Sequence, residues 1–175
     1  MSFQSTVSIQ QGFGVPGEIF QDVPWIVLDW TLNSSGTPNI VGATAYTITS
    51  QGFAEAGSGG ALGFAGILGS PKSYALFGSG GAPLAATLTL PDQTQGELVT
   101  QGMMIVTLPA AAAIGDYVIY DDTTGALATM PPASTCTSGF SFANAVVSQF
   151  TQGISGTALA VIQIQPVINP IPTNE

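Results

Sequence analysis

The sequence predicts an all-β, single-domain protein, built as a β-barrel or a jelly-roll-like sandwich. Short runs of β-branched and aromatic residues alternate with Gly, Pro, Asp and Asn at intervals of about 8 to 12 residues, which is typical of antiparallel strands joined by tight loops. No stretch repeats its apolar residues with the period of an amphipathic helix. At 175 residues and 45% hydrophobic content, the chain is long and apolar enough for one buried core.

The chain is expected to divide into three parts. Residues 1–20 form an extended arm and a shaped loop, because Val7 and Ile9 have strand-like spacing and a Gly- and Pro-rich segment follows them. Residues 21–165 form the β domain. Residues 166–175 contain three prolines and form an extended tail.

Loop-forming residues bound each strand predicted within the β domain. Residues 61–81 fit either a short buried helix or a strand pair, and glycines at 63, 66 and 69 disfavour a stable helix. Gly96 to Thr100 leads into the apolar run that ends at Pro109. The predicted strands cover residues 21–32, 40–50, 84–90, 103–108, 117–120, 126–130, 144–150 and 157–165.

The composition points to a protein that works while packed against other proteins. Charged residues make up 6% of the chain, against about 25% in a typical soluble domain. The net charge is -9, with Lys72 as the single base. One lysine cannot displace the counterions of nucleic acid or hold an anionic membrane surface, so neither is an expected partner. A basic protein partner stays compatible with this charge.

The N-terminal sequence and the cysteine content predict a soluble product of the cytoplasm. The first residues have no positively charged and apolar signal-peptide pattern. No apolar run approaches the roughly 20 residues of a membrane span. The single cysteine, Cys136, cannot form an intramolecular disulfide, and we interpret it as a small core or loop residue.

Histidine, the commonest general base and the commonest metal ligand, is absent from the sequence. Without histidine, the Ser-His-Asp and Cys-His arrangements and His-containing zinc sites are excluded. Lys72 follows Pro71, which predicts an exposed turn and not a desolvated nucleophile. We therefore predict no catalytic, cofactor or metal site. Acidic residues that a glycosidase pair would have to use are Glu18, Asp22, Asp29, Glu97 and Asp116.

Two further patterns have both a structural and a functional interpretation. Asp121-Asp122-Thr123-Thr124-Gly125 offers oxygen ligands for Ca²⁺, but it lacks the spacing of an EF-hand loop, and Asp and Gly directly serve a hairpin turn. Trp25 and Trp30 would suit a glycan-binding module. Their separation of five places them on opposite faces of a strand, which favours one in the core and one at a surface or interface.

Several motifs in a fixed order resemble the structural cement (capsid decoration) proteins of tailed bacteriophages. The resemblance covers roughly Gln10 to Ile164. Its motifs, in chain order, are QGFGVPGE at 11–18, NIVGA at 39–43, GFAGIL at 63–68, PKSYAL at 71–76, IGDYVIY at 114–120, TGAL at 124–127 and GTALAVI at 156–162.

This resemblance implies a non-enzymatic virion protein without cofactors. Such a protein would bind the outer surface of an HK97-type capsid, contact the major capsid protein, cement neighbouring capsomers and act as a dimer or trimer. It would be made in the cytoplasm of the bacterial host. We expect contacts with the capsid or between subunits at the apolar residues of the arm and its loop, and at one tryptophan: Phe3, Val7, Ile9, Phe13, Val15, Pro16 and Trp30. The alternatives are a tail, fibre or baseplate β-module, or a glycan-binding module using Trp25 or Trp30.

Overall fold

A computed structural model describes residues 14–20, 23–57, 63–70, 89–110, 112–154 and 157–165. Every regular element in these ranges is a β-strand. The strands are β1 (Ile26–Thr31), β2 (Asn39–Ile40), β3 (Ala45–Ile48), β4 (Ala54–Ala56), β5 (Phe64–Leu68), β6 (Thr89–Leu90), β7 (Gln95–Leu108), β8 (Tyr117–Asp121), β9 (Leu127–Met130), β10 (Phe140–Ile154) and β11 (Thr157–Ile164). The prediction of an all-β fold is confirmed.

Nine of these strands form one antiparallel sheet. Its order is β4-β3-β5-β7-β11-β10-β8-β9, and β1 pairs with β7 beside this path. β2 and β6 form a separate two-stranded sheet. In the described part of the chain the path is open between β4 and β9, so the closed barrel allowed by the sequence is wrong. An isolated bridge joins Thr44, next to β3, to Ala126, next to β9, but no strand ladder closes the path. The jelly-roll alternative stays a prediction.

β7 is the central strand because it pairs with β1, β5 and β11. Its first half pairs with β1 and its second half with β11, and the register to β1 shifts between Gln101 and Val99. Gly102, at this point, has φ 121° and approaches Trp25 so closely that a Cβ would lie 2.8 Å from the Cβ of Trp25. Glycine is therefore required where the strand changes partners.

Several strands begin or end differently from the prediction. β10 starts at Phe140, before the predicted Asn144, because Asn144 (φ 49°) lies at a bulge in the pairing with β8 and does not end the strand. The predicted strand 40–50 is broken by a turn at residues 41–43, where Gly42 has φ 69°. Of the predicted strand 84–90, only Thr89 and Leu90 fall within the described residues, as β6.

The buried side chains form two hydrophobic clusters. The first core lies along the β7–β11–β10–β8 part of the sheet and includes Met104, Val106, Val118, Val147 and Ile162. The second core is built mainly on β3, β4 and the ends of β5 and β7, and includes Leu32, Tyr46, Leu68, Leu90 and Leu98. Burial of this apolar surface is the main source of stability for such a fold.

Several predictions fall outside the described residues. They concern the arm residues Phe3, Val7, Ile9 and Phe13, the turn at Lys72, and the tail at 166–175.

Candidate interaction surface

The candidate interaction surface is the β1 edge, which we define as residues 25–31. Among the described strands, β1 pairs with β7 alone. Trp25 is 41% exposed, Ile26 48% and Leu28 46%. Alternate backbone groups of a strand at the side of a sheet point away from its partner and can accept a further strand. Exposed apolar side chains beside such groups gain free energy when another protein covers them.

A groove of about 260 Å³ runs beside the β1 edge. Leu28 and Trp30 contribute one part of its lining, and strands β3 and β5 contribute Ile48, Phe64 and Ala65. Its polar lining residues are Thr100, Asn144 and Gln165. Trp30 is half-buried and packs against the second core, whereas Trp25 is exposed. This agrees with the prediction of one indole in the core and one at the surface.

The loop at residues 14–20 is hydrogen-bonded to β7. The Gly17 N–H donates to the carbonyl of Ile105 (2.8 Å), and the Ile105 N–H donates to the carbonyl of Glu18 (2.9 Å). The Glu18 carboxylate closes the loop by accepting from the Val15 N–H (3.2 Å). Val15 is 59% exposed and Pro16 is partly buried. The loop therefore holds an aliphatic side chain on the surface in a fixed position.

A second cleft, of about 320 Å³, is lined almost entirely by apolar groups. It lies where the turn after β2 meets the ends of β7 and β9, and its lining residues include Pro38, Ile40, Leu108, Pro109 and Leu127. It contains no acidic or basic side chain. Such a cleft can accept an apolar side chain of another molecule but offers no groups for acid–base chemistry.

A buried polar network fixes the loop that follows the β1 edge in the chain. Its centre is Asn39, whose Oδ1 accepts hydrogen bonds from the Ser34 Oγ and the Tyr46 Oη, both at 2.7 Å. The Asn39 Nδ2 donates to the carbonyl of Leu90 (3.1 Å) and to the Asp92 Oδ1 (2.9 Å). Each polar atom of the Asn39 side chain thus has a partner, as buried polar groups require.

Burial and hydrogen bonding shift two pKa values in this network. Burial raises the pKa of the Tyr46 phenol well above its usual value, and the charge of Asp92 adds to this effect. Burial alone would also raise the pKa of Asp92, but hydrogen bonds from the Ser34 N–H and the Asn39 amide outweigh it, so the pKa lies below its usual value. These hydrogen bonds therefore favour the ionised form of Asp92.

The Asp121–Gly125 segment forms a turn, as the sequence favoured. The Asp121 Oδ1 accepts from the Thr123 N–H (2.9 Å) and the Thr124 N–H (2.7 Å), and Gly125 has φ 69°. These bonds lower the pKa of Asp121, with the Thr124 N–H as the largest cause. The Asp121 carboxylate therefore accepts hydrogen bonds within its own turn. No group of three potential metal-ligating His, Cys, Asp or Glu side chains occurs within the described residues.

The remaining candidates for chemistry are scattered. Asp29 and Glu97 are cross-strand partners in β1 and β7, but neither lines the groove or the apolar cleft. Asp116 accepts from the Ala113 N–H (2.8 Å) within its own turn, and Asp22 lies outside the described residues. Burial and the nearby Asp122 raise the pKa of the Cys136 thiol, which donates to the carbonyl of Phe140 (3.3 Å). A thiol in this state is a poor nucleophile.

Sequence reasoning missed the exposed aliphatic residues of β1 and the Asn39 network. Ile26 and Leu28 sit in an apolar run between two tryptophans, which is equally typical of a buried strand. The one sequence signal that included Asn39 was its position at the start of the NIVGA motif, which is one of the ordered motifs that resemble the cement protein family. Its partners Leu90 and Asp92 lie 51 and 53 residues further along the chain.

Comparisons with known proteins agree with this fold. Residues 3–165 match the model of the family described as "Structural cement protein (E217 gp24/Pam3 gp6)". A solved chain from "The capsid of Myoviridae Phage XM1" is similar with a TM-score of 0.57 and 17% identity, covering 94% of this chain and 98% of that chain. At this identity the likeness shows the fold alone. No curated protein sequence matches the chain.

In the described part of the chain, no helix is long and apolar enough to cross a membrane. The family model spans most of the sequence, from residue 3 to Gln165, just after the end of β11. The chain therefore belongs to the phage structural cement protein family and is a structural component of the virion.

Proposed function

We propose that this protein binds the outer surface of an HK97-type phage capsid and cements neighbouring capsomers. The observation that carries the proposal is the exposed apolar surface of Trp25, Ile26 and Val15 on a family member with very few charged residues. A surface poor in charge loses little hydration free energy when a partner covers it. Many copies that each make a modest contact with a shell attach firmly, because their contacts add.

The proposed partner is the major capsid protein. Direct contacts come from the exposed residues of the loop and of the β1 edge, together with the apolar residues of the N-terminal arm. The full set is Phe3, Val7, Ile9, Phe13, Val15, Pro16 and Trp30, to which the structure adds Ile26 as a candidate. The protein acts as a dimer or trimer on the capsid, which multiplies the contacts of each unit. It is made in the host cytoplasm and has no enzymatic activity.

Cryo-electron microscopy of the purified virion tests this proposal directly. We expect density for the protein on the outside of the shell, bridging adjacent capsomers. A position only in the tail would favour the tail, fibre or baseplate alternative, and absence from the particle would contradict any role in the virion. Shells assembled without the protein should release their DNA at a lower temperature than decorated shells.

A further inference from the structure

The groove beside the β1 edge begins where the described chain ends. Ile164, the last residue of β11, pairs with Gly102 in β7, and Ile26, the first residue of β1, pairs with the adjacent Gln101. The Gln165 N–H donates to the carbonyl of Asn144 (2.9 Å). Both of these residues line the groove, together with Leu28 and Trp30. The described chain therefore ends at a residue that lines the groove.

The sequence of this segment suits such a groove. PVINPIPTNE contains three prolines and the aliphatic residues Val167, Ile168 and Ile171, with one acid and no base. Proline-rich sequences favour an extended conformation, lose little conformational entropy on binding and commonly dock in aromatic-lined grooves. The groove offers the rings of Trp30 and Phe64 beside aliphatic side chains, and Asn144 and Thr100 as polar groups.

We propose that residues 166–175 bind in the groove of their own chain, with Val167 and Ile168 against Leu28 and Trp30. Because Gln165 already forms part of the groove, the local concentration of the segment is in the millimolar range expected for short linkers. The segment covers apolar surface that the folded domain leaves exposed. The family match ends at Gln165, so residues 166–175 lie outside the region shared with the family, whereas the groove lies within it. The experiments below use the free protein, so they test this interaction separately from capsid binding.

Tryptophan fluorescence tests the proposal, because Trp25 and Trp30 are the two tryptophans of the chain. A Trp25→Phe chain isolates the signal of Trp30. Adding Val167→Asp and Ile168→Asp should then raise the acrylamide quenching constant about twofold and shift the emission to the red, because the indole regains water contact. The matched control, Thr173→Asp with Asn174→Asp, adds the same charge without removing an aliphatic side chain and should leave the signal unchanged. Equal quenching in all three chains would overturn the proposal.

The concentration dependence separates binding within one chain from exchange between two chains. Within one chain, the protection of Trp30 is the same at every protein concentration and the aspartate variants keep the wild-type mass in light scattering. Loss of protection on dilution, or a smaller mass for the variants, would overturn same-chain binding in favour of a second copy.

A truncated chain makes the test independent of how the aspartate variants fold. A Trp25→Phe chain ending at Gln165 should show the high quenching constant. A synthetic peptide of residues 166–175 should lower that constant saturably at millimolar concentration. A linear or absent response to the peptide would contradict the proposal.

Discussion

The β1 edge and the Asn39 network are consecutive in the chain but opposite in character. Around Asn39, the side chains of Ser34, Tyr46 and Asp92 find their hydrogen-bond partners inside the protein. Along β1, the apolar side chains of Ile26 and Leu28 stay about half exposed. The first region is complete in the single chain. The second gains free energy only from a further contact, which is the property expected of a protein that functions in an assembly.

The two regions are also expected to contribute to different properties, the Asn39 network to the stability of the chain and the β1 edge to binding. A buried polar group that loses its partner pays the full cost of desolvation, so the Asn39 network should be sensitive to single substitutions. An exposed apolar side chain contributes little to the folded chain, so the β1 edge should tolerate substitutions that impair assembly. The predictions below test this separation.

The largest expected effect is at Gly42, which follows the Asn39 network in the turn between β2 and β3. A Cβ at Gly42 would lie 2.4 Å from the Gly17 backbone nitrogen, and φ is 69°. Gly42→Ala should lower the free energy of unfolding by at least about 3 kcal/mol, since backbone must move as well as adopt a strained conformation. Gly36→Ala is the matched control, because φ there is 92° but no atom lies within 4 Å of the added Cβ.

Denaturant unfolding of both variants gives the measurement. We expect a loss of about 1 kcal/mol for Gly36→Ala, from backbone conformation alone. Equal losses for the two variants would show that the approach of the 14–20 loop to Gly42 does not constrain the fold.

The next effect is expected at Asn39. Asn39→Ala removes four hydrogen bonds and leaves the Tyr46 and Ser34 hydroxyls buried, which should cost about 2 to 4 kcal/mol. Asn33→Ala is the control, because the Asn33 side chain accepts one exposed hydrogen bond from Gln93 and its loss should cost under about 1 kcal/mol. Thermal or denaturant unfolding measures both. A neutral Asn39→Ala would mean that water replaces the network without penalty.

The sequence was sufficient to predict the strands whose pattern is local. Residues 117–120, 126–130 and 157–165 are short apolar runs bounded by turn residues, and each matches a strand of the structure to within one residue at either end. The continuity of β7 was missed because Gly96 and Gly102 resemble interruptions. Gly96 instead makes room for Leu32, whose Cδ2 would lie 2.7 Å from an added Cβ. That contact depends on the tertiary structure and leaves no local pattern.

The candidate surface was predictable only in part. The low charge content indicated that some surface is covered by other proteins. Val15 and Pro16 were named because they are apolar residues of the loop after the arm, and Trp30 because one of the two tryptophans was expected at a surface or interface. The exposure of Ile26 and Leu28 depends on the place of β1 beside β7, which strand patterns alone do not determine. The Asn39 network needed pairings across more than 50 residues, for which a single sequence gives no signal.

A substitution in the β1 edge should weaken binding and leave stability nearly unchanged, which is the opposite of the result expected at Asn39. Ile26→Ser should change the free energy of unfolding by less than about 1 kcal/mol, while weakening binding to undecorated capsids about tenfold, equivalent to 1.4 kcal/mol. Ile114→Ser is the matched control, because Ile114 is an exposed isoleucine (68%) in the turn before β8. Co-sedimentation with capsids measures binding. Equal binding by wild type and Ile26→Ser would remove Ile26 from the contact surface.

The smallest expected effect concerns how the Asn39 network, through Asp92, changes the stability of the protein at acid pH. The pKa of Asp92 is lowered in the folded chain, so the unfolded chain takes up this proton at a higher pH than the folded chain does. The stabilising contribution of Asp92 is therefore fully present above its usual pKa and is lost as the pH falls through the folded value.

Asp92→Asn keeps an oxygen that can accept from the Ser34 N–H and the Asn39 amide but cannot titrate. The loss of unfolding free energy between about pH 6 and pH 3 should be smaller in this variant than in the wild type. Between about pH 6 and pH 8 Asp92 is ionised in both the folded and the unfolded chain, so there the two proteins should keep a constant difference in unfolding free energy. Parallel curves across the acid range as well would show that the hydrogen bonds to Asp92 do not favour its charged form.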